Sequence, residues 1–137
     1  MKMKTQNRMI CTIENDVAIA FLKENKTAQD YIFVRPLPHW IGAYIDNELV
    51  AVMGWKPYKK RVTLHSLLVL PQHRRKGIAE DLYREFLRRF EGSGYTVYDN
   101  STGDCIPLSR KMGFTEVGRY SNGTIKFVLK MEDKHEQ

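Results

Sequence analysis

The stretch PQHRRKGIAEDL, residues 71–82, marks the passage from a strand to a helix. Before it, the segment VTLHSLLVL (62–70) has the β-branched and apolar composition of a strand, which Pro71 ends. After Gly77, apolar residues recur at helical spacing, with arginines in the polar positions between them. The stretch therefore predicts a strand, a short turn and an amphipathic helix in direct succession.

The turn in this stretch has the composition of an anion site. The first N–H groups of a helix have no intrahelical acceptors and carry the positive end of the helix dipole. Gly77 has no side chain to obstruct a ligand, and three cations precede it: Arg74, Arg75 and Lys76. This combination predicts a cradle for phosphate or pyrophosphate. The alternative is a surface turn with solvated cations.

Length and composition indicate one soluble globular domain over residues 1–137, with 42% hydrophobic and 28% charged residues. The longest apolar run is far shorter than the ~20 residues of a membrane span. Residues 1–16 contain no apolar stretch like a secretory signal, so we expect a cytoplasmic protein that does not contact a membrane. Cys11, Cys105 and the four histidines show no metal-ligand spacing, which predicts that no metal is bound.

The remaining segments predict the order β-α-(α)-β-β-β-α-β-α-β-β. Residues 35–40 contain two prolines and should be irregular, and residues 27–33 are either a helix or a loop. Asp16 is the expected N-cap of the first helix, and Asn122-Gly123 the turn of a final hairpin. The strand–helix–strand crossover around residues 71–82 predicts an α/β (α+β) fold, with a mixed, mostly antiparallel twisted sheet flanked by helices.

Arg74-x-x-Gly77-x-Ala79, set between a strand and a helix, resembles the [RQ]-x-x-G-x-[GA] motif of the GNAT acyltransferase superfamily. The segment LSRKMGFTEVG (108–118) is similar to the second landmark of that family, a helix that leads into Gly-Phe and a strand. The N-terminal third matches only in the order of its elements. The resemblance implies a GNAT-like acyl-CoA acyltransferase fold and acetyl-CoA as the acyl donor.

The same resemblance assigns the cofactor contacts by position. The strand residues Leu67, Leu68 and Val69 should splay from the next strand and offer backbone groups to the pantetheine. Backbone N–H groups from Arg75 to Glu80, through Lys76, Gly77, Ile78 and Ala79, should face the pyrophosphate, with the Arg74 and Lys76 side chains as electrostatic support. Asn100 matches a frequent polar contact to the pantetheine arm. The Glu80 carboxylate is expected to point away from the phosphates.

Acyl transfer to an amine needs a base for the amine proton and a proton for the leaving thiolate. His65 is the expected base, because its imidazole titrates near neutral pH and a histidine at the matching strand position belongs to a proton relay in arylalkylamine-acetylating relatives. Alternation along the strand predicts that His65 shares a face with Leu67 and Val69. Ser109 occupies the position where many relatives carry the tyrosine acid. The proton then comes from Ser109, from water or from another tyrosine, Tyr98 or Tyr120.

The acceptor is the least determined partner. The family places its acceptor wall in the region of RPLPHW (35–40), Tyr31 and Phe33, where His39, Trp40 and Tyr44 could shape a pocket. A small amine, a protein amine or a nucleic acid all remain open as acceptors, and the protein is expected to be a monomer or a homodimer. Two alternatives to an enzyme also stay open. One is an acyl-CoA-binding protein that lost its chemistry at Ser109. The other is a nucleic-acid binder that uses the net charge of +6 and the basic turn WKPYKKR (55–61).

Overall fold

The computed structural model describes residues 7–28, 30 and 32–134, and these form one seven-stranded sheet with helices packed on it. The elements in chain order are β1 (Arg8–Thr12), α1 (Asn15–Asn25), β2 (His39–Ile45), β3 (Glu48–Tyr58), β4 (Arg61–Val69), α2 (Ile78–Arg88), β5 (Thr96–Ser101), α3 (Cys105–Lys111), β6 (Thr115–Arg119) and β7 (Ile125–Lys130). A single 3-10 turn at Pro71–His73 follows β4. The predicted α+β fold class is confirmed.

The strands lie in the order β1-β2-β3-β4-β5-β7-β6, and all neighbours are antiparallel except β4 and β5. A parallel pair needs a crossover connection, and α2 provides it. The crossover is possible because Ile78, Leu82 and Phe86 form an apolar stripe on α2 that is at most 3% exposed. Phe86 packs edge-on against Trp55 of β3, which fixes α2 across one face of the sheet.

On the opposite face, α1 buries Ala18, Phe21 and Leu22. Trp40 lies over Gly54 on this face, where a Cβ would come within 2.6 Å of its ring. The prediction that Asp16 caps α1 is wrong, because the helix already begins at Asn15. The Asn15 side chain instead accepts hydrogen bonds from the backbone N–H of Leu37 and the indole N–H of Trp40, which ties the loop after α1 to the sheet.

The loop after α1 and the two hairpins can be compared with the sequence predictions. The described residues between 27 and 33 form a loop rather than a second helix, while Gln29 and Tyr31 lie outside the described residues. The hairpin between β2 and β3 turns at Asp46 and Asn47, which both have positive φ. The final hairpin places β7, not β6, next to β5.

The parallel pairing of β4 and β5 ends early. Its register runs only from Arg61 opposite Thr96 to Leu64 opposite Asp99, although β4 continues to Val69. Beyond Leu64 the two strands separate, so the sheet opens into a wedge. The carboxyl end of β4 and the N-terminus of α2 border this wedge.

A bulge in β4 lies at the point of the wedge. Gly54 pairs with Ser66 and Trp55 pairs with Leu64, so His65 is the extra residue of β4. The bulge breaks the alternation from which His65 was predicted to share a face with Leu67 and Val69, and that prediction is wrong. Leu67 pairs with Met53 on the α2 face, whereas the His65 ring meets Arg35 from the loop that follows α1.

Candidate active site

The wedge between β4 and β5 is the mouth of a cavity of about 890 Å³. Most of the site residues predicted from the sequence line it: His65, Leu67, Leu68, Val69, Arg74, Arg75, Gly77, Ile78, Ala79, Glu80 and Asn100. Lys76 and Ser109 are outside the lining. The fold therefore brings the predicted phosphate cradle and the predicted base into one cleft, with the cradle at one end and the bulge of β4 at the other.

The cradle is a row of free backbone N–H groups. From Arg75 through Glu80, no backbone N–H has a hydrogen-bond acceptor among the described residues. Arg75 and Gly77 have φ of 63° and 81°, left-handed values that turn the chain sharply just before α2. Successive N–H groups in such a turn, at a helix N-terminus, form a concave site for an anion. A Cβ at Gly77 would meet no atom within 4 Å, so the space around this glycine of the cleft lining is open.

The side chains around the cradle differ from their expected roles. Arg74 does not extend to the cradle, because its Nε donates to the carbonyl of Val69 at 2.9 Å and its Nη2 lies 3.6 Å from Asp30. Arg74 therefore fixes the end of β4. Lys76 approaches His73, with Nζ 3.3 Å from the ring Nδ1.

Glu80 turns its carboxylate toward α3, where Lys111 Nζ lies 2.6 Å away, and it also accepts hydrogen bonds from Arg84 on its own helix. These hydrogen bonds, that of Lys111 first, lower the pKa of Glu80. The carboxylate stays ionised at neutral pH, but its charge is balanced by two cations. The cradle therefore keeps its positive character although Glu80 lines the cleft.

Strand β4 contains one buried polar atom without a hydrogen-bond partner in the described part of the chain. Ser66, at the bulge, is 4% exposed, and its Oγ is the one buried side-chain oxygen or nitrogen without a hydrogen-bond partner among the described residues. An unpaired buried hydroxyl is costly in an otherwise well-paired protein. Since Ser66 lines the cleft, its free hydroxyl fits a site completed by a ligand.

His65 is held by Arg35. The Arg35 guanidinium contacts Nδ1 of His65, and because a guanidinium only donates hydrogen bonds, Nδ1 must be the unprotonated nitrogen. The neutral ring then carries its proton on Nε2. Partial burial, followed by the charges of Arg35 and Lys56, lowers the pKa of His65 below 6.5. His65 is therefore uncharged at neutral pH, as a base must be.

Ser109 lies in a buried hydrogen-bonded cluster instead of facing the cleft. It is 0% exposed and donates to Asp99 Oδ2 at 3.0 Å. The hydroxyls of Tyr83 and Ser101 also donate to this oxygen, at 2.6 and 3.2 Å. Burial raises the pKa of Asp99, and burial together with the Asp99 charge raises that of Tyr83 well above 10. This placement argues against Ser109 as the proton donor to a thiolate. Tyr83, whose pKa is raised so far, is too weak an acid to replace it.

The other predicted proton donors, Tyr98 and Tyr120, also lie outside the cleft. Each of their rings is in contact with a cation, Arg61 and Lys126 respectively. Cys105 does line the cleft, but burial and neighbouring carboxylates raise its pKa to about 11. Because the thiolate is the nucleophilic form of cysteine, Cys105 is not suited to carry an acyl group.

Three of the residues predicted to shape the acceptor pocket lie elsewhere. Trp40 is 2% exposed in the core, His39 stacks on Trp55, and Tyr44 pairs with Leu49 in the β2–β3 hairpin. Arg35, which the sequence placed only within an irregular segment, is the residue of RPLPHW that reaches the cleft wall. Its partner His65 is 30 residues away, so no local pattern pointed to it.

The basic turn also differs from its expected nucleic-acid role. Trp55 is 3% exposed and cannot stack on a base. The cations at the tip already lie over tyrosines of the protein: Lys59 over Tyr58 and Lys60 over Tyr95. Of the two aromatic rings in this turn, only that of Tyr58, which is 67% exposed, is open to solvent, and it is a small stacking surface for single-stranded nucleic acid.

Within residues 7–28, 30 and 32–134, no cluster of three metal-ligating side chains occurs. None of the described helices has the length and apolar character to cross a membrane.

Comparison with known proteins agrees with the fold. Residues 9–114 match the model of the acetyltransferase (GNAT) family. The chain therefore belongs to the GNAT acetyltransferase family, as the cradle motif predicts.

Individual relatives extend this assignment. Human N-acetyltransferase 8 is 28% identical over 120 residues, which cover 80% of this chain and 48% of that protein, so the chain spans about half the length of this relative. The ribosomal-protein-S18-alanine N-acetyltransferase of Escherichia coli has the same fold, with a TM-score of 0.74 at 16% identity over 96% of this chain and 98% of that one. PaiA N-acetyltransferase of Thermoplasma acidophilum, solved with coenzyme A, has a TM-score of 0.58 at 18% identity over 66% of this chain and 59% of that one.

Proposed function

We propose that the protein is an acyl-CoA-dependent N-acyltransferase that transfers acetyl from acetyl-CoA to an amine by direct attack. The free N–H row from Arg75 to Glu80, at the end of a wedge that opens beside β4, is the observation that carries this proposal. The oxygens of a pyrophosphate would accept hydrogen bonds from these N–H groups. The extended pantetheine chain attached to it would fit the wedge. The family supports acyl transfer in general, and a structural relative was solved with coenzyme A.

Different residues of the cleft would bind different parts of the acyl-CoA donor. The N–H groups from Arg75 to Glu80 would hold the pyrophosphate, and the unpaired edge of β4 beyond Leu64, including Leu67 and Leu68, would hydrogen-bond the pantetheine. Asn100, an exposed residue near the end of β5, faces the same cleft as a further contact. The carbonyl of Val69 is already taken by Arg74, so Val69 contributes less than predicted. The Ser66 hydroxyl is free to donate to a ligand carbonyl.

The chemistry requires one proton acceptor from the chain. A bound acyl-CoA supplies an activated carbonyl as a thioester, and the C–N bond to the amine forms as the C–S bond breaks. His65 takes the proton of the attacking amine at Nδ1, after Arg35 releases that nitrogen. The sulfur leaves with the bonding electron pair, and a thiol pKa near ~8.5 makes it a stable enough leaving group to take its proton from water.

Ser109 would stabilise the folded protein and would not transfer a proton. Ser109→Ala is expected to lower the free energy of unfolding by about 1–3 kcal/mol, because a buried carboxylate loses one of its hydrogen bonds. The same variant should change kcat less than about threefold, whereas loss of a general acid costs ~10²-fold or more. Chemical denaturation and steady-state rates of thiol release measure the two quantities. A stable Ser109→Ala protein with a hundredfold lower kcat would restore Ser109 as the acid.

Two measurements test the proposal as a whole. Saturating acetyl-CoA should raise the melting temperature, since a ligand that binds only the folded state stabilises it. Amine-dependent release of the CoA thiol, followed with a thiol reagent over a panel of amines, then separates an enzyme from a protein that only binds acyl-CoA. No thermal shift would contradict both functions, and a shift without thiol release from any amine would leave only the binding protein. The acceptor, cytoplasmic location and the choice of monomer or homodimer stay predictions from the sequence.

A further inference from the structure

Arg35 forms a junction between two cavities, because it lines one of them and contacts a residue that lines the other. One is the cleft, reached through the contact of its guanidinium with His65. The other has a volume of about 470 Å³ and lies between α1 and the loop before β2. Its wall is apolar at four positions and charged or polar at the rest: Ile19, Ala20, Val34 and Pro36, with Asn15, Asp16, Lys23 and Arg35. Arg35 thus lines this second cavity while its guanidinium contacts His65 at the wall of the cleft.

The cations at this junction lack counterions. Among the described residues, neither Arg35 nor Lys56 forms an ion pair with a carboxylate, although Asp16 lines the same small cavity as Arg35. The only partner of the Arg35 side chain there is the neutral ring of His65. Most other arginines of the described chain are paired with Asp or Glu, as in the contacts of α2. The positive charge beside the base is therefore available to an anion.

A carboxylate would compete effectively for this guanidinium. A carboxylate offers the guanidinium an opposite charge and two parallel hydrogen bonds, whereas the neutral ring nitrogen accepts a single hydrogen bond. A carboxylate bound by Arg35 would therefore draw the guanidinium away from Nδ1 of His65. The lone pair of Nδ1 would then be free to accept the proton of an amine.

We infer that the acceptor is an amine that also carries a carboxylate, as an amino acid or peptide does, and that Arg35 binds this carboxylate and thereby frees Nδ1 of His65. The inference rests on the proposed function and names the class of its acceptor. The apolar wall formed by Ile19, Ala20, Val34 and Pro36 favours an apolar side chain on that acceptor. Arg35 is then a specificity-determining residue and a positioning residue for the base.

Matched acceptors test the inference directly. L-phenylalanine, L-leucine and L-methionine are compared with their amides, which keep the side chain and the amine but lack the carboxylate. In the wild type, kcat/KM for the acids should exceed that for the amides by about tenfold, although the amides have the less basic and more readily deprotonated amine. In Arg35→Gln the ratio should fall to about one. Arg61→Gln, at the β3–β4 turn and outside both cavities, should keep the wild-type ratio.

The outcomes separate this inference from the proposed function. Equal or faster turnover of the amides by the wild type, or of phenethylamine, would leave an acyltransferase and overturn the carboxylate-bearing acceptor. An acid preference that persists in Arg35→Gln would overturn the role of Arg35. If none of these amines releases thiol but another amine of the panel does, the proposed function stands and this inference fails. If acetyl-CoA raises the melting temperature but no amine of the panel releases thiol, the proposed function fails, and this inference fails with it.

The ring of His65 gives a second readout. Arg35 from the loop and Lys56 from β3 are the charged groups that face it. Nitrogen-15 NMR of the ring should show Nδ1 unprotonated and hydrogen-bonded in the free wild type. Addition of N-acetyl-L-phenylalanine, a carboxylate-bearing product, should raise the pKa of His65 in the wild type. Arg35→Gln should begin from a higher pKa and respond little. An unchanged wild-type ring at a saturating concentration of this compound would contradict the inference.

Discussion

Replacing Gly77 with alanine is expected to weaken acetyl-CoA binding by about tenfold to a hundredfold, the equivalent of one hydrogen bond to a charged group at about 1.5–3 kcal/mol. Gly77 lines the cleft, and a Cβ there would project into open space, where no protein atom lies within 4 Å. It would also strain a backbone with φ of 81°, at a cost of roughly 1–2 kcal/mol. Titration calorimetry with acetyl-CoA measures the affinity, and chemical denaturation measures the stability.

Gly123→Ala is the matched control for this variant. Gly123 lies in the β6–β7 hairpin with φ of 90°, and a Cβ there would also meet no atom within 4 Å. Both variants should lose similar stability, but only Gly77→Ala should lose affinity for acetyl-CoA. Equal binding by Gly77→Ala and the wild type would show that the phosphates lie elsewhere.

His65→Gln is expected to reduce kcat by about 10²- to 10⁴-fold, the contribution of a positioned base. The dissociation constant for acetyl-CoA should change little, because the cradle at the other end of the cleft is untouched. The pKa of His65 is lowered, so the neutral, active ring prevails at pH 7. In the wild type, kcat/KM should therefore fall as the pH drops through the lowered pKa of His65, below 6.5, and this acid limb should disappear in His65→Gln.

His39→Gln provides the comparison for the base. His39 is exposed, stacks on Trp55 and lies outside the cleft, so its replacement should preserve both the rate and the acid limb. A His65→Gln enzyme with more than a tenth of the wild-type kcat, or with the same acid limb, would assign proton removal to solvent or to another group.

The cradle could be predicted from the sequence because its determinants are local. A strand that ends at Pro71, a glycine and the start of an amphipathic helix lie within a dozen residues, and helix N-termini present free N–H groups wherever they occur. The order of the strands along the chain could be predicted from the same local patterns. Their order within the sheet could not, because β7 lies between β5 and β6 through long-range pairing.

The catalytic end was predicted less well because it depends on contacts between distant segments. The bulge at His65 arises from the register of β3 against β4, and it undid a prediction based on simple alternation. Arg35 reaches His65 only through the tertiary fold. The one available signal for the buried cluster was Asp99, an acid two residues after the apolar Val97 and so on the same, inward face of β5. That signal would have suggested partners for Ser109 inside the protein.

A titration of the ¹⁵N-labelled protein with acetyl-CoA, followed by amide NMR, reports directly on whether the cradle binds the pyrophosphate. The N–H signals from Arg75 through Glu80 should shift most, because these groups gain phosphate oxygens as acceptors. Smaller shifts should follow along β4 toward Ser66. Saturable shifts centred on another surface, or no shifts at millimolar acetyl-CoA, would contradict the cradle and the function built on it.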